Sequence, residues 1–180
     1  PHNQQRIVAK IIDIKFYAIE DLLENHQNNG LFVLLDGVTD TRNMGAIIRS
    51  AAAVKATAVV IPTNGSAQIT GETIKTSAGG AFQIPICRVN HLKDAVYLLQ
   101  SYDIKSIVAD EKAEQNIFDI DLTNTVAIVM GAEDKGVSHG VRKLCSHSAK
   151  LPILGNMDSY NVSVAAGIFL YEAIRQRLKT

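Results

Sequence analysis

A few short apolar runs limit what this chain can fold into more than any other feature. LFVLLD (Leu31 to Asp36), TAVVIP (Thr57 to Pro62), SIVAD (Ser106 to Asp110) and VAIVMG (Val126 to Gly131) are apolar on successive residues. A strand of that kind has no face to offer water and must be covered on both sides. Between these runs lie AIEDLLENH, GAIIRSAAAV, ETIKTSAGG, HLKDAVYLLQSY and HGVRKLCS, all with helical spacing. SYNVSVAAGIFLYEAIRQRLK closes the series: Val162, Ala165, Ala166, Phe169 and Ala173 recur at three and four, and Arg175, Arg177 and Lys179 suit a helix C-terminus. The alternation predicts an α/β fold, a mostly parallel sheet with helices on both faces. IPICRV (Ile84 to Val89) and AKLPIL (Ala149 to Leu154) are further strand candidates, and RIVAKIID (Arg6 to Asp13) is a candidate lead-in strand.

The length of 180 residues fits one domain. At that size about 70% of the unfolded chain's surface can be buried. With 47% hydrophobic and 20% charged residues, neither disorder nor a fibrous repeat fits. Lys+Arg and Asp+Glu are 18 each, so the basic excess of a free-standing, sequence-independent nucleic-acid binder is missing. Any grip on RNA is then local or supplied by another domain. Cys87 and Cys145 make no disulfide framework, no apolar run reaches membrane-spanning length, and PHNQQRIVAK is too polar for a signal peptide. A reduced, cytoplasmic setting is the expectation. The start at Pro1 rather than Met reads as a processed chain or an excised piece.

The usual nucleotide fingerprints are broken. No G-x-G-x-x-G occurs, and GAEDKGVS (Gly131 to Ser138), which has the frame of a phosphate loop, carries Val137 where Lys is required. Glu133 and Asp134 would also put carboxylates where a phosphate loop needs amides. ATP or GTP is therefore not expected at this loop. His and Cys spacings match no zinc site, and no G-x-S-x-G elbow is present.

Polar residues at strand-to-helix junctions remain, where open α/β sheets hold their ligands. In LDGVTDTRNMGAIIRSA (Leu35 to Ala51), Asn43 reads as a helix N-cap and Arg49 as a solvated helix residue. Against that, Ile47, Ile48, Ala51, Ala52 and Ala53 give Arg49 an apolar setting, which predicts a carboxylate or phosphate partner. Glu133 serves equally well as a turn acceptor or as an anchor for a substrate donor or an arginine. DSYNVSVAAG (Asp158 to Gly167) crowds Asp158, Ser159, Asn161 and Ser163 into the start of the last helix, more polar groups than one cap needs. KTSAGGAF (Lys75 to Phe82) reads as a helix C-terminal glycine pair, and the basic residues of HGVRKLCSHSAK as a solvated face.

Taken together, LDGVTDTRNMGAIIRSA, IVMGAEDKGVS and LPILGNMDSYNVSVAAGIFLYE resemble, in order and spacing, the three signature motifs of the SpoU (TrmH-like) branch of the SPOUT methyltransferases. The resemblance implies a C-terminal trefoil knot, which general topology rules would not predict. It implies S-adenosylmethionine bound in that knot, a homodimer packed through it, and 2'-O-methylation of a ribose in structured RNA. The expected target is a guanosine of 23S rRNA, with tRNA as the alternative. Asn43 and Arg49 fall on the first motif's polar pair, Glu133 on the second's acid, and Ser159 and Asn161 on the third's polar pair. The cofactor would be held largely by backbone at Met130, Gly131, Leu151, Ile153 and Tyr160, with Ala109 beside them, and no metal is needed.

In the family, the first motif's arginine is the usual candidate for taking the hydroxyl proton. A guanidinium with pKa above about 12 is a poor base, so Arg49 reads better as a clamp on the target phosphate and a stabiliser of the developing alkoxide. Residues 1–30 resemble the junction that follows a ribosomal-protein-like RNA-binding domain, with Gln5 where glycine is usual, and 31–180 the catalytic domain. Weak intrinsic RNA affinity follows. A non-enzymatic RNA-binding or ribosome-assembly module is the competing reading, against which the presence of all five motif residues counts.

Overall fold

The apolar runs become strands buried on both faces, as their composition requires. In the computed structural model, which describes residues 14–26 and 28–179, β2 is Leu31–Asp36. Leu31, Val33 and Leu35 enter one core, while Phe32 and Leu34 enter the other. Each such side chain, once fully buried, is worth about 1.5–3 kcal/mol.

The remaining strands are β1 (Phe16–Tyr17), β3 (Ala58–Pro62), β4 (Ile86–Val89), β5 (Lys105–Ala109), β6 (Val126–Gly131) and β7 (His147–Ala149). The helices are α1 (Ile19–Asn25), α2 (Thr41–Ala53), α3 (Gly71–Thr76), α4 (Leu92–Ser101), α5 (His139–Arg142) and α6 (Val162–Arg177). Residues of α2 and α6 fill the core on one face, and those of α1, α4 and α5 the core on the other. The sheet runs β1-β4-β3-β2-β6-β5-β7, and each described pairing is parallel. At the centre β2 lies beside β6 with Asp36 opposite Gly131. From there the chain leaves β2 toward β3 and leaves β6 toward β7, in opposite directions. The two connections part at the carboxyl ends and open the crevice where doubly wound sheets take ligands.

Several boundaries differ from the sequence expectation for local reasons. Asp40, not Asn43, caps α2: its Oδ1 accepts the amides of Arg42 (2.8 Å) and Asn43 (2.9 Å), so Asn43 sits inside the first turn. The amide of Asn43 holds the Asp40 carboxyl below its ordinary pKa. α6 starts at Val162 under an Asn161 cap, which leaves Asp158 to Tyr160 outside the helix. AKLPIL is not a strand throughout: β7 ends at Ala149, and Lys150 then hydrogen-bonds with the segment at Gln115 and Ile117. HGVRKLCS yields only the single turn of α5. In KTSAGGAF, α3 ends at Thr76, and Gly79 with φ of +81° turns the chain into a short 3-10 segment. The brief edge strand β1 had no signal strong enough to read, and the lead-in strand at Arg6 to Asp13 lies outside the described residues.

The C-terminal helix is pinned at its far end. Arg177, half-buried, donates to the carbonyls of Asn29, Gly30, Leu122 and Asn124 at the amino ends of the central strands. Gln176 adds a pair of bonds, accepting from Leu122 N–H and donating to the Ile120 carbonyl.

Candidate active site

Three residues from distant parts of the sequence meet at the carboxyl edge of the sheet. Asn43 comes from the first turn of α2, Glu133 from the loop after β6, and Asn161 from the cap of α6. Asn43 Nδ2 donates to Glu133 Oε1 at 2.7 Å, and Asn161 Nδ2 donates to the same oxygen at 2.9 Å and to Asn43 Oδ1 at 3.1 Å. The Asn161 carbonyl oxygen meanwhile caps α6, accepting from the amides of Ser163 and Val164. Cap and site residue are therefore one side chain, and the helix fixes where its amide points. Glu133 Oε2 makes no hydrogen bond to a described group, so one carboxylate oxygen stays open to a hydroxyl.

Beside this triad is a cleft at the carboxyl ends of β5, β6 and β7. Ala109, Met130, Gly131, Leu151, Ile153 and Tyr160, the six residues expected to hold a cofactor, all line it, as do Glu133 and Ser159. The sequence reading missed Asp110, Glu111, Ala165 and Phe169 in the same lining. The only hint for Asp110 was an acid at the end of a buried run. Ala165 and Phe169 lay in an apolar stripe that reads equally well as plain packing. Asp110 is a built part of the wall: its buried carboxylate pairs with Arg142 and accepts the Lys112 amide at 3.0 Å. Gly131 has to be glycine, because a Cβ there would come within 2.1 Å of the Gly136 and Val137 backbone, where the loop folds back over the strand end.

The donor set decides what suits the cleft. With Asp110 neutralised by Arg142, two carboxylates, Glu111 and Glu133, face one ammonium, Lys150, so a polyphosphate is disfavoured and a cation is welcome. Leu151, Ile153 and Phe169 supply an apolar wall for a flat heterocycle. A cationic, adenosine-bearing sulfonium such as S-adenosylmethionine fits both properties. The cleft is narrow, about 80 Å³ of free room, and its outer wall is the exposed strap that Tyr160 Oη ties to the Pro152 carbonyl at 3.1 Å.

Arg49 takes the solvated one of its two expected settings. It lies on the exposed side of α2, while Ile47, Ile48 and Ala51 turn into the core, and it has no hydrogen-bond or ion-pair partner among the described residues. The apolar neighbours in sequence are not its neighbours in space, because one residue advances about 100° around a helix. Glu133 holds two asparagine amides instead of a guanidinium. Ser159, also exposed, is in the cleft lining but outside the triad's hydrogen bonds. Neither cysteine is a ready nucleophile: burial pushes the Cys87 thiol up to about 12 and raises that of Cys145. Among the described residues no His, Cys, Asp and Glu cluster suited to a metal occurs, and no helix is long and apolar enough to cross a membrane.

Comparison with known proteins agrees with this geometry. The profile of the SpoU rRNA Methylase family matches residues 30–171. The 23S rRNA (guanosine-2'-O-)-methyltransferase RlmB of Pseudomonas putida is 39% identical over 176 residues, spanning 96% of this chain and 71% of that enzyme. The enzyme of the same name from Xylella fastidiosa is 40% identical over 178 residues, 97% of this chain and 72% of the relative. Among solved structures, the SpoU methyltransferase AviRb from Streptomyces viridochromogenes superposes with a TM-score of 0.84 at 28% identity, covering 92% of this chain and 65% of AviRb. Its complex with the cofactor AdoMet gives 0.80 at 30% identity, covering 85% and 62%.

Proposed function

This chain belongs to the SpoU rRNA methylase family, and from that premise we propose that it transfers a methyl group from S-adenosylmethionine to the ribose 2'-hydroxyl of a guanosine in 23S rRNA. The observation that carries the reading is the Asn43–Glu133–Asn161 triad at the mouth of an acidic, apolar-walled cleft. When bound, S-adenosylmethionine supplies an electrophilic methyl carbon on a sulfonium. The chain's own work is then alignment. Met130, Gly131, Leu151, Ile153, Tyr160 and Ala109 hold the cofactor, and the triad presents Glu133 Oε2 to the ribose hydroxyl. Fixing two reactants in line removes the entropy of bringing them together, the larger part of the acceleration available without a metal. Arg49, exposed and without a partner among the described residues, is free to clamp the phosphate of the incoming nucleotide and to stabilise the negative charge on the 2'-oxygen as its proton passes to solvent. Ser159 assists in orienting the ribose.

The finer architecture belongs to the same proposal. The segment after β7 runs beside residues 115–117 and feeds α6 against Ile120 and Leu122, an arrangement that supports a trefoil knot in which residues 110–124 form the loop. Val164, Ile168 and Tyr171 leave α6 with an exposed apolar outer face, which supports a homodimer packed through this region. Residues 31–180 form the catalytic domain, RNA is the partner, and the work on ribosomal RNA takes place in the cytoplasm. The test is incubation with methyl-labelled S-adenosylmethionine and an unmodified 23S rRNA transcript, followed by nucleoside analysis. 2'-O-methylguanosine is the expected product. Cofactor binding with no label in RNA at any enzyme concentration overturns the reading.

A further inference from the structure

Three clefts lie in a row along the carboxyl edge of the sheet. The cofactor cleft shares Ala132, Glu133 and Val162 with a second cleft, which also contains Asn43. That second cleft shares Gly37 with a third, of about 540 Å³, past the ends of β2, β3 and β4 against α4. None of the functional reading above uses the third cleft.

Its polar lining is uncommitted. The side chains of Asn64, Asn90 and His91 and the Tyr97 hydroxyl are exposed and make no hydrogen bond to a described group. Asp36, at the last position of β2, accepts the Ser138 amide through Oδ2 at 2.7 Å and keeps Oδ1 free. A second carboxylate, Asp94, also lines the cleft. The opposing Lys93 lies across Gly140, where a Cβ would come within 2.5 Å of its Nζ. Two carboxylates against one ammonium disfavour a phosphate here. What the lining suits is a neutral flat ring with adjacent N–H donors for a carboxylate, further polar edges for two amides, and a face for Tyr97. Guanine is the RNA base with two neighbouring donors, N1–H and N2–H2, on its Watson–Crick edge. Single-stranded bases are read on that edge and stacked on aromatic rings.

We propose that the third cleft seats the guanine of the nucleoside whose ribose lies at Asn43 and Glu133. Asp36 accepts from N1–H and N2–H2, Asn64 and Asn90 read the remaining edges, and Tyr97 covers the ring. This rests on the methyltransferase reading and adds to it the device that selects the base.

Two measurements test the proposal. In nitrogen-15-labelled protein, millimolar guanosine is expected to move the side-chain amide resonances of Asn64 and Asn90. Inosine, lacking N2, should move them less, and adenosine should leave them in place. In transfer assays on an unmodified 23S rRNA transcript, Asn90→Ala and Tyr97→Ala, both at exposed positions, are expected to raise KM about tenfold, the discrimination one base-edge contact provides. Their affinity for S-adenosylmethionine should match that of the parent. Asp36→Asn, whose amide oxygen can still accept from Ser138, should lower the share of 2'-O-methylguanosine among the methylated nucleosides. Transfer at the parent KM and product ratio by all three variants, with unmoved amides, overturns the cleft and leaves the methyltransferase reading standing. Guanosine-specific shifts in a protein that never methylates RNA sustain the cleft and sink the reading beneath it.

Discussion

The two ends of the central strands are both rich in polar groups, and they use them differently. At the amino ends the polar groups that touch the central strands are matched to backbone. Thr57 Oγ1 accepts the Leu31 amide at 3.0 Å, Thr125 Oγ1 accepts that of Gly30 at 2.8 Å and donates to the His26 carbonyl at 2.9 Å, and Arg177 takes four carbonyls. At the carboxyl ends Asn43, Glu133 and Asn161 are linked side chain to side chain, and although Asn161 is fully used, Glu133 Oε2 and the second hydrogen of the Asn43 amide stay open. Arg177 and Arg49 extend the contrast: the first guanidinium is half-buried and bonded to four carbonyls, while the second, well along α2 and in none of the three cleft linings, is exposed and without a partner among the described residues. A polar cluster that satisfies backbone holds the fold together. One held in place by its own members, with an oxygen left open, is organised toward something outside the chain.

Substitutions at the two ends should therefore fail in different currencies. The largest effect is expected from Arg49→Ala, which should lower the methyl-transfer rate by about 10²–10³-fold, the usual effect of removing one stabiliser of developing charge. Its melting temperature and calorimetric affinity for S-adenosylmethionine should be those of the parent; transfer at the parent rate would remove Arg49 from the site. Next comes Arg177→Met, expected to cost about 2–4 kcal/mol in urea unfolding, since it strands carbonyls that a charged donor had satisfied. The folded fraction of that variant should bind cofactor normally. Asn161→Ala bridges the two classes. Loss of the α6 cap should cost about 1 kcal/mol, and transfer should fall as well because Glu133 loses a donor.

The smallest effect is a pH dependence at the structural end. The Arg175 guanidinium, with help from Gln176, holds the Glu172 carboxyl below its ordinary value of 4.5. A carboxylate whose folded pKa is depressed adds stability that is complete above the unfolded value. That stability is lost as pH falls through the folded value. Thermal melting between pH 6 and pH 3, values at roughly a unit or more either side of an ordinary carboxylate, should therefore show a shallower acid decline for Glu172→Gln. Parallel curves for the two proteins would mean the pair contributes nothing.

Much of this arrangement was legible in the residues. Short runs of β-branched and aliphatic residues on successive positions suit strands covered on both faces, and Leu31 to Asp36 and Val126 to Gly131 became β2 and β6 at the positions read. The motif residues led to the triad and the cleft lining because their spacing carries a family pattern. The pattern does not carry which face of a helix a residue occupies. Apolar sequence neighbours argued for an anionic partner to Arg49, while helical geometry turns it to solvent, the other of its two readings. Asn43 looked like a cap because it stands beside the helix start, but Asp40, three residues earlier, has the carboxylate that reaches both amides. The extent of β7 was misjudged because LPIL is apolar without being paired. Of its four residues only Leu151 is buried, Ile153 lines the cleft and Leu154 stands in solvent, a setting that no local pattern reveals.

α6 has one end in each region, Asn161 at the triad and Arg177 under the amino ends of the strands. On a ribosome the chain emerges in order, so β2 and β6 can pair while this helix is still being synthesised. Until it docks, Glu133 lacks its second amide and the carbonyls of Gly30 and Asn124 lack their guanidinium. Docking of this one helix therefore completes the triad and satisfies those carbonyls in a single step, so the order of the site and the order of the fold are gained or lost together.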